Sequence, residues 1–231
     1  TGFTSYTENI GEMGNSGVEG MLNVYLIRNL EKRLVWSVTG KIAYNKNVIL
    51  KLSDALKEDT RKALAEDIEL GTLLFEGDPT NAIYAVRSLG IDPSTGKELY
   101  LTKDGEITET WKSSDRVFLG SYDPKYRGNI SSLFQWGGLS INLAFGYHFG
   151  GYQYNSTLLS KVEINKNMIS AGNVDKRVYE DRWQKPGDVK FFKKIDDKST
   201  KATSRFVMKE SVFELQNVSL QYTFDGPKFK E

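Results

Sequence analysis

The sequence predicts an all-β fold: antiparallel strands of the kind that wall a large transmembrane β-barrel, with long loops that include a short helix. Three observations predict it. Several segments alternate apolar and polar residues with the two-residue period of a strand. The connections between them are alternately very short and very long. No segment reaches the roughly 18 apolar residues of a membrane-spanning helix. A negative mean hydropathy of −0.45 leaves a barrel open, because barrel strands turn only half of their residues toward lipid.

The clearest strand is LSINLAFGYHFGG. Leu139, Ile141, Leu143, Phe145, Tyr147 and Phe149 share one face, and Ser140, Asn142, Ala144, Gly146, His148 and Gly150 share the other. In LVWSVTGKIAYN, Leu34, Trp36, Val38, Ile42 and Tyr44 oppose Ser37, Thr39, Lys41 and Asn45. In VSLQYTF, Val218, Leu220, Tyr222 and Phe224 oppose Ser219, Gln221 and Thr223. EGMLNVYLIRN is β-rich but apolar on both faces, which leaves its parity open, and ISSLFQW is a shorter candidate. The expected strands are about 20–29, 34–45, 128–136, 139–150 and 209–224, with loops at about 46–127 and 151–208, all parts of one partial barrel over 1–231. The apolar faces could meet either a second sheet or lipid.

The short polar LEKR joins the first two strands, and Gly137-Gly138 joins the third to the fourth. Compact soluble domains rarely carry structureless loops beyond about 15 residues, whereas outer-membrane barrels combine short turns on one side with long loops on the other. Within the first insertion, KLSDALKEDTRKALAEDIELG reads as an amphipathic helix: Ser53 as N-cap, Leu56, Leu64 and Ile68 on one side, Gly71 as the stop. Turn signals follow at Asp92-Pro93 and Thr95-Gly96, and Asp104-Gly105 between ELYLTK and EITETW signals a hairpin. The second insertion is polar and aromatic with little periodicity. The chain opens at Thr1 with neither methionine nor a signal-peptide pattern, and is expected to be a piece of something longer.

Composition narrows the function. With 231 residues there is enough chain for one large or two modest domains. Thirty-one Lys and Arg against 30 Asp and Glu give a formal net charge of +1, which argues against nucleic acid as a partner. There is no cysteine, hence neither a disulfide framework nor thiolate chemistry. His148 is the only histidine, so a nucleophile–histidine–carboxylate triad or a histidine metal site would depend on that one residue. Neighbouring carboxylates such as Glu180/Asp181 and Asp196/Asp197 read better as solvated loop charges than as a glycosidase acid and base. DPSTGKE lacks the spacing of a calcium loop, and no phosphate-binding or dinucleotide fingerprint occurs. The expectation is a protein that is not an enzyme and uses no cofactor or metal.

Binding chemistry remains. Trp111, Tyr122, Tyr126, Tyr152, Tyr154, Tyr179 and Trp183 fall in the long loops among Asp, Asn, Arg and Lys. Flat apolar rings beside polar groups suit sugars or peptides, although the same rings could simply pack loop on loop. Trp111, Tyr122, Tyr126 and Trp183 are the candidate contacts. The competing fold is a soluble β-sandwich glycan-binding module, which should show turn signals every 8–12 residues or so; a secreted hydrolase ranks third.

Longer phrases carry a resemblance. NIGEMGNSGVEGMLNVYLI, AIYAVRSLGIDPSTGKELYLTKDG, YDPKYRGNIS, YNSTLLSKVE, DKRVYEDRWQKPGD and TSRFVMKESVFELQNVSLQYTF occur in order along the chain. Together they resemble the C-terminal half of the barrel in SusC/RagA-type TonB-dependent outer-membrane transporters. The resemblance implies a barrel of about 22 strands filled by an N-terminal plug, in the outer membrane of a Gram-negative bacterium. It implies a SusD-like surface lipoprotein as lid, TonB as the energy-coupling partner, and oligosaccharide or peptide as cargo. Plug, TonB-contacting segment and final strands are not among these residues. On that resemblance the apolar face of 139–149 meets lipid, and Asn142 and His148 face the lumen. The strands at 20–29, 128–136 and 209–224 then descend from the cell surface, and the other two ascend.

Overall fold

Alternation in the sequence becomes a sheet whose register keeps apolar residues beside apolar residues. The computed structural model describes residues 11–66, 73–169, 172–196 and 198–224. Nine strands are present among them: β1 (Gly11–Asn29), β2 (Leu34–Leu52), β3 (Ala82–Ile91), β4 (Glu98–Leu101), β5 (Ile107–Thr108), β6 (Arg116–Ser121), β7 (Tyr126–Trp136), β8 (Leu139–Tyr154) and β9 (Val207–Tyr222). The helices are α1 (Asp54–Ala65), α2 (Ser156–Lys161), α3 (Lys166–Ile169) and α4 (Arg177–Glu180). One sheet has the order β1-β2-β7-β8-β9, the other β5-β4-β3-β6, and neither closes on itself. By contacts the chain forms two units. One comprises 1–14, 48–122 and 152–209; the other comprises 15–47, 123–151 and 210–231.

The second unit holds most of the five-stranded sheet. Antiparallel register runs from Leu34↔Trp136 to Tyr44↔Tyr126 between β2 and β7, and from Trp136↔Leu139 to Tyr126↔Phe149 between β7 and β8. Since side chains alternate, a one-residue slip would mix the faces. In the observed register, Trp36, Phe134 and Ile141 form one apolar row, and Tyr44, Tyr126 and Phe149 form another. Phe145 stacks on Phe213 of β9 at 5.3 Å between ring centroids. The apolar face is bare: Ile42, Ile130, Trp136, Phe149, Phe213 and Leu215 are all exposed.

Two hydrogen bonds satisfy polar atoms of that face within the sheet. The Trp36 indole N–H donates to Ser132 Oγ at 3.0 Å, and the Tyr147 hydroxyl donates to the Lys41 carbonyl at 2.9 Å. The second bond crosses Gly128, where an added Cβ would collide with both the Lys41 carbonyl and the tyrosine ring. The residue must therefore be glycine. The tight connection after β7 likewise uses Gly137 at φ +57, a conformation that side chains resist. Arg33, at φ 49, closes the Leu30–Arg33 turn.

The first unit is a folded body built from the two insertions. β3 is central in its sheet and buries Ile83, Ala85 and Val86, which explains its lack of alternation: a strand covered on both faces reads as a continuous apolar run. The hairpin between β4 and β5 forms at Asp104-Gly105, with Gly105 at φ +86. In α1 the Ser53 side chain accepts the Leu56 N–H, as its N-cap position predicts. That helix ends at Ala65, with Glu66 as C-cap; Ile68 and Gly71 lie outside the described residues. The Ala63 carbonyl, an acceptor left over by the helix end, receives the Ser113 hydroxyl at 2.9 Å and the Arg116 guanidinium at 3.2 Å. Val162, Ile164, Val178, Phe192 and Phe206 form the core of the second insertion, with Tyr154, Leu158 and Leu159 packed on it.

Candidate functional site

The polar face of the wall is assembled by the same register. Arg127 lies opposite His148 and Asn129 opposite Gly146. The Gln216 side chain lies over Gly146, accepts from Asn129 Nδ2 at 3.4 Å and donates to Glu214 at 3.0 Å. His148 Nε2 is 3.9 Å from Glu210 Oε1, an ion pair only when the ring is protonated. Asn142 lies on this face opposite Leu133. Amides, carboxylates and a guanidinium here stand back to back with the aromatic rows.

In the loop unit the insertions are joined by one buried cluster. Arg205 bridges Glu98 and Glu163 with 2.7 Å contacts to each, and its side chain is only 5 % exposed. It also donates to the Phe191 carbonyl at 2.7 Å. Burial works against its charge, but hydrogen bonds and the charges of both carboxylates outweigh burial and hold its pKa above the ordinary arginine value. Arg182 is also buried, and donates Nη2–H to the Val162 carbonyl at 2.7 Å. Among the described residues its Nε and Nη1 have no hydrogen-bond partner, and desolvation lowers its pKa. Burial and the neighbouring Glu98 charge raise the Tyr100 hydroxyl. Burial and the hydrogen bond to Asp78 raise Tyr84.

Beside this cluster lies a cavity of about 810 Å³, lined in part by Gly96, Tyr100, Trp111 and Thr200. Among the described residues five lysines (97, 193, 194, 198 and 201) line it, against three carboxylates: Glu98, Glu109 and Asp196. Glu98 belongs to Arg205, Glu109 pairs with Lys97, and Asp196 pairs with Lys193 at 3.2 Å. Among the described residues no group of His, Asp or Glu could hold a metal ion.

The four aromatic candidates do not converge. Trp111 lines the cavity, donates its indole N–H to the Ala202 carbonyl at 2.9 Å, and has Lys201 Nζ 5.6 Å and Arg116 Cζ 6.0 Å from its ring centre. Trp183 covers Gly96 and donates to the Pro93 carbonyl at 2.9 Å; it packs loop on loop. Tyr122 is exposed just past β6. Tyr126 is corrected: it is the first residue of β7 rather than a loop residue, packed between Tyr44 and Phe149 at 5.3 and 5.1 Å in the apolar row. The strand begins at Tyr126 because Tyr126 and Arg127 pair on both sides, with Tyr44 and Ala43 of β2 and with Phe149 and His148 of β8. The buried acids and Arg205 were missed, and their sequence separations of 107 and 42 residues explain why. A signal for the cavity did exist in the lysine-rich KKIDDKSTK, although Asp197 lies outside the described residues.

These features define a class: an open segment of antiparallel barrel wall, apolar on one face and polar on the other, in a chain that also forms a folded loop unit. No family model matches the chain. Two curated relatives match nearly all of it: TonB-dependent receptor P39 of Formosa agariphila, 22 % identical over 97 % of this chain and 25 % of its own length, and TonB-dependent receptor P3 of the same organism, 25 % identical over 96 % and 23 %. The chain thus spans about a quarter of their length. Among solved structures, the RagAB peptide transporter superimposes with a TM-score of 0.71 at 22 % identity, over 93 % of this chain and 23 % of that one. The RagAB peptide importer in its closed-closed state gives 0.66 at 23 % identity over the same shares. The fold is that of part of such a barrel, and the chain resembles a segment of a SusC/RagA-type TonB-dependent transporter. The names of these relatives are those of receptors and transporters, not enzymes.

Proposed function

We propose that the chain supplies wall and extracellular loops to an outer-membrane importer of oligosaccharides or peptides. It works with TonB, through a segment outside these residues, and with a SusD-like surface lipoprotein. The carrying observation is the apolar face kept in register across β2, β7 and β8, bare yet with its Trp36 and Tyr147 polar atoms satisfied inside the sheet. Lipid offers no hydrogen bonds, so a lipid-facing sheet must meet its own polar demand. From Trp36 to Tyr44 the strand advances about 26 Å at ~3.3 Å per residue, which at the usual strand tilt of about 35–45° covers roughly 20 Å of an apolar band about 25 Å tall. Asn142 and His148 then face the lumen, while Trp111, Tyr122 and Trp183 stand on the outer side, within reach of cargo or lid. The similar RagAB structures are those of a peptide transporter and a peptide importer, which favours peptide over glycan.

The test is an epitope tag inserted at Asp104-Gly105 of the full-length protein, probed on intact cells and followed by membrane fractionation. Surface labelling with outer-membrane sedimentation is the expected result, along with uptake that stops when TonB is removed. A soluble or unlabelled product would overturn the topology, and TonB-independent uptake would overturn the coupling.

A further inference from the structure

We propose that the lysine-lined cavity of the loop unit is a binding site for acidic peptide segments, a reading that deepens the import function proposed above and rests on it. The argument begins with charge. The described carboxylates lining the cavity are committed: Glu98 to Arg205, Glu109 to Lys97, and Asp196 to Lys193. Lys194 and Lys198 have no ion-pair partner among the described residues, and both line the cavity. The chain as a whole is close to neutral, so this excess is local and not a consequence of a basic protein. A concave wall bearing uncompensated ammonium groups raises the local concentration of anions and orients them.

Shape and chemistry then narrow the anion. A volume of about 810 Å³ lies within the range of pockets that enclose small ligands, which admits a short stretch of chain as well as a single ion. The one tryptophan on the wall, Trp111, has its N–H engaged by the Ala202 carbonyl and its ring flanked by Lys201 and Arg116. A sugar would need that ring face for stacking, and the two cations already lie against it. The Thr200 hydroxyl is spent on Glu163 at 3.1 Å, but Thr110 adds a hydroxyl to the wall, and the Ser199 hydroxyl, which accepts from Asn165 at 3.4 Å, keeps its proton for a peptide C=O. Acidic side chains on Lys194 and Lys198, with main chain against Thr110 and Ser199, match the charge and polarity of this wall. The cluster of Arg205, Glu98 and Glu163 beneath holds both insertions together, so the lysines are presented on a fixed frame and not on free loops.

The experiment uses the full-length transporter purified in detergent, without TonB, and measures binding of a six-residue glutamate-rich peptide. Its controls are a glycine–serine peptide of equal length and an oligogalacturonate of equal charge. The expected result is binding of the acidic peptide that weakens about tenfold or more in Lys194→Gln/Lys198→Gln and returns in Lys194→Arg/Lys198→Arg, with no binding of the neutral peptide. Undiminished binding in the glutamine variant overturns the site, as does failure of the arginine variant to restore it. Tighter binding of the oligogalacturonate overturns the peptide assignment in favour of an acidic glycan. Uptake of the same peptide by cells with and without TonB is read separately. Binding with TonB-independent uptake would sink the transport reading alone, and TonB-dependent uptake of other cargo with no peptide binding would sink this inference alone.

Discussion

Arg205 is the residue whose removal should cost the loop unit most. Its guanidinium is the shared partner of Glu98 and Glu163, whose side chains are 1 % and 0 % exposed. Replacing a buried ion pair by well-packed apolar residues can be neutral, but removing one partner strands the other charge without solvent. Arg205→Ala strands two, so a loss of about 3–5 kcal/mol is expected. Limited proteolysis of the full-length protein should show it as faster cleavage within 152–206 at unchanged barrel folding. Arg205→Lys keeps the charge but not the planar fork that reaches both carboxylates, and should fall between the two. The tyrosines set the alkaline limit of the same unit. Tyr84 and Tyr100 have hydroxyls held above the ordinary value, so the folded state retains protons that the unfolded state would release. Their contribution is complete below about pH 10 and is lost as pH rises beyond it. The two tyrosines therefore add no slope below about pH 10 and a decline in the thermal stability of the loop unit above it, shallower in Tyr100→Phe.

At the scale of elements, the β2–β7–β8 trio depends on a glycine over which a tyrosine lies. In Gly128→Val, the new side chain would meet both the Lys41 carbonyl and the Tyr147 ring. The variant should lose the Tyr147 hydrogen bond, worth about 1 kcal/mol, and add overpacking strain of about 1–3 kcal/mol. Urea unfolding of the barrel followed by heat-modifiable gel migration measures the sum, and Tyr147→Phe isolates the hydrogen bond. The trio also shows what was legible in the sequence. β8 reads clearly because one of its faces is apolar throughout, and the Asp104-Gly105 hairpin because its turn chemistry is local. The first residues of β1, GEMGNSGVE, do not read as strand: their glycines and polar residues carry no alternation, and only pairing with β2 makes them one, as in the Asn47 to Asn15 side-chain bond of 2.8 Å. β3 hid for the opposite reason, being covered on both faces. The candidate site was legible only in part. Trp111 was found as an exposed-looking ring among polar residues, but the ion cluster below it is assembled by tertiary contacts that no spacing announces.

For the whole molecule, the decisive question is which face of the wall meets lipid, and adjacent residues of one strand can answer it. Leu143 and Asn142 sit near the middle of the paired stretch of β8 and point to opposite faces. A cation on the lipid face near the bilayer midplane costs about 2–4 kcal/mol, whereas lumen positions tolerate polar change. Leu143→Lys in the full-length protein should therefore reduce the folded, outer-membrane fraction strongly, and Asn142→Lys should leave it near the wild-type level. Strand propensity does not separate the pair, since both variants place the same residue one position apart on the same backbone. Only the solvent on each side differs. Equal losses would mean that both faces are enclosed by protein, as in a sandwich, and a reversed pattern would mean that the polar face is the outer one. The expected asymmetry would fix the orientation of every residue on β2, β7 and β8 at once, because the register ties their parity together.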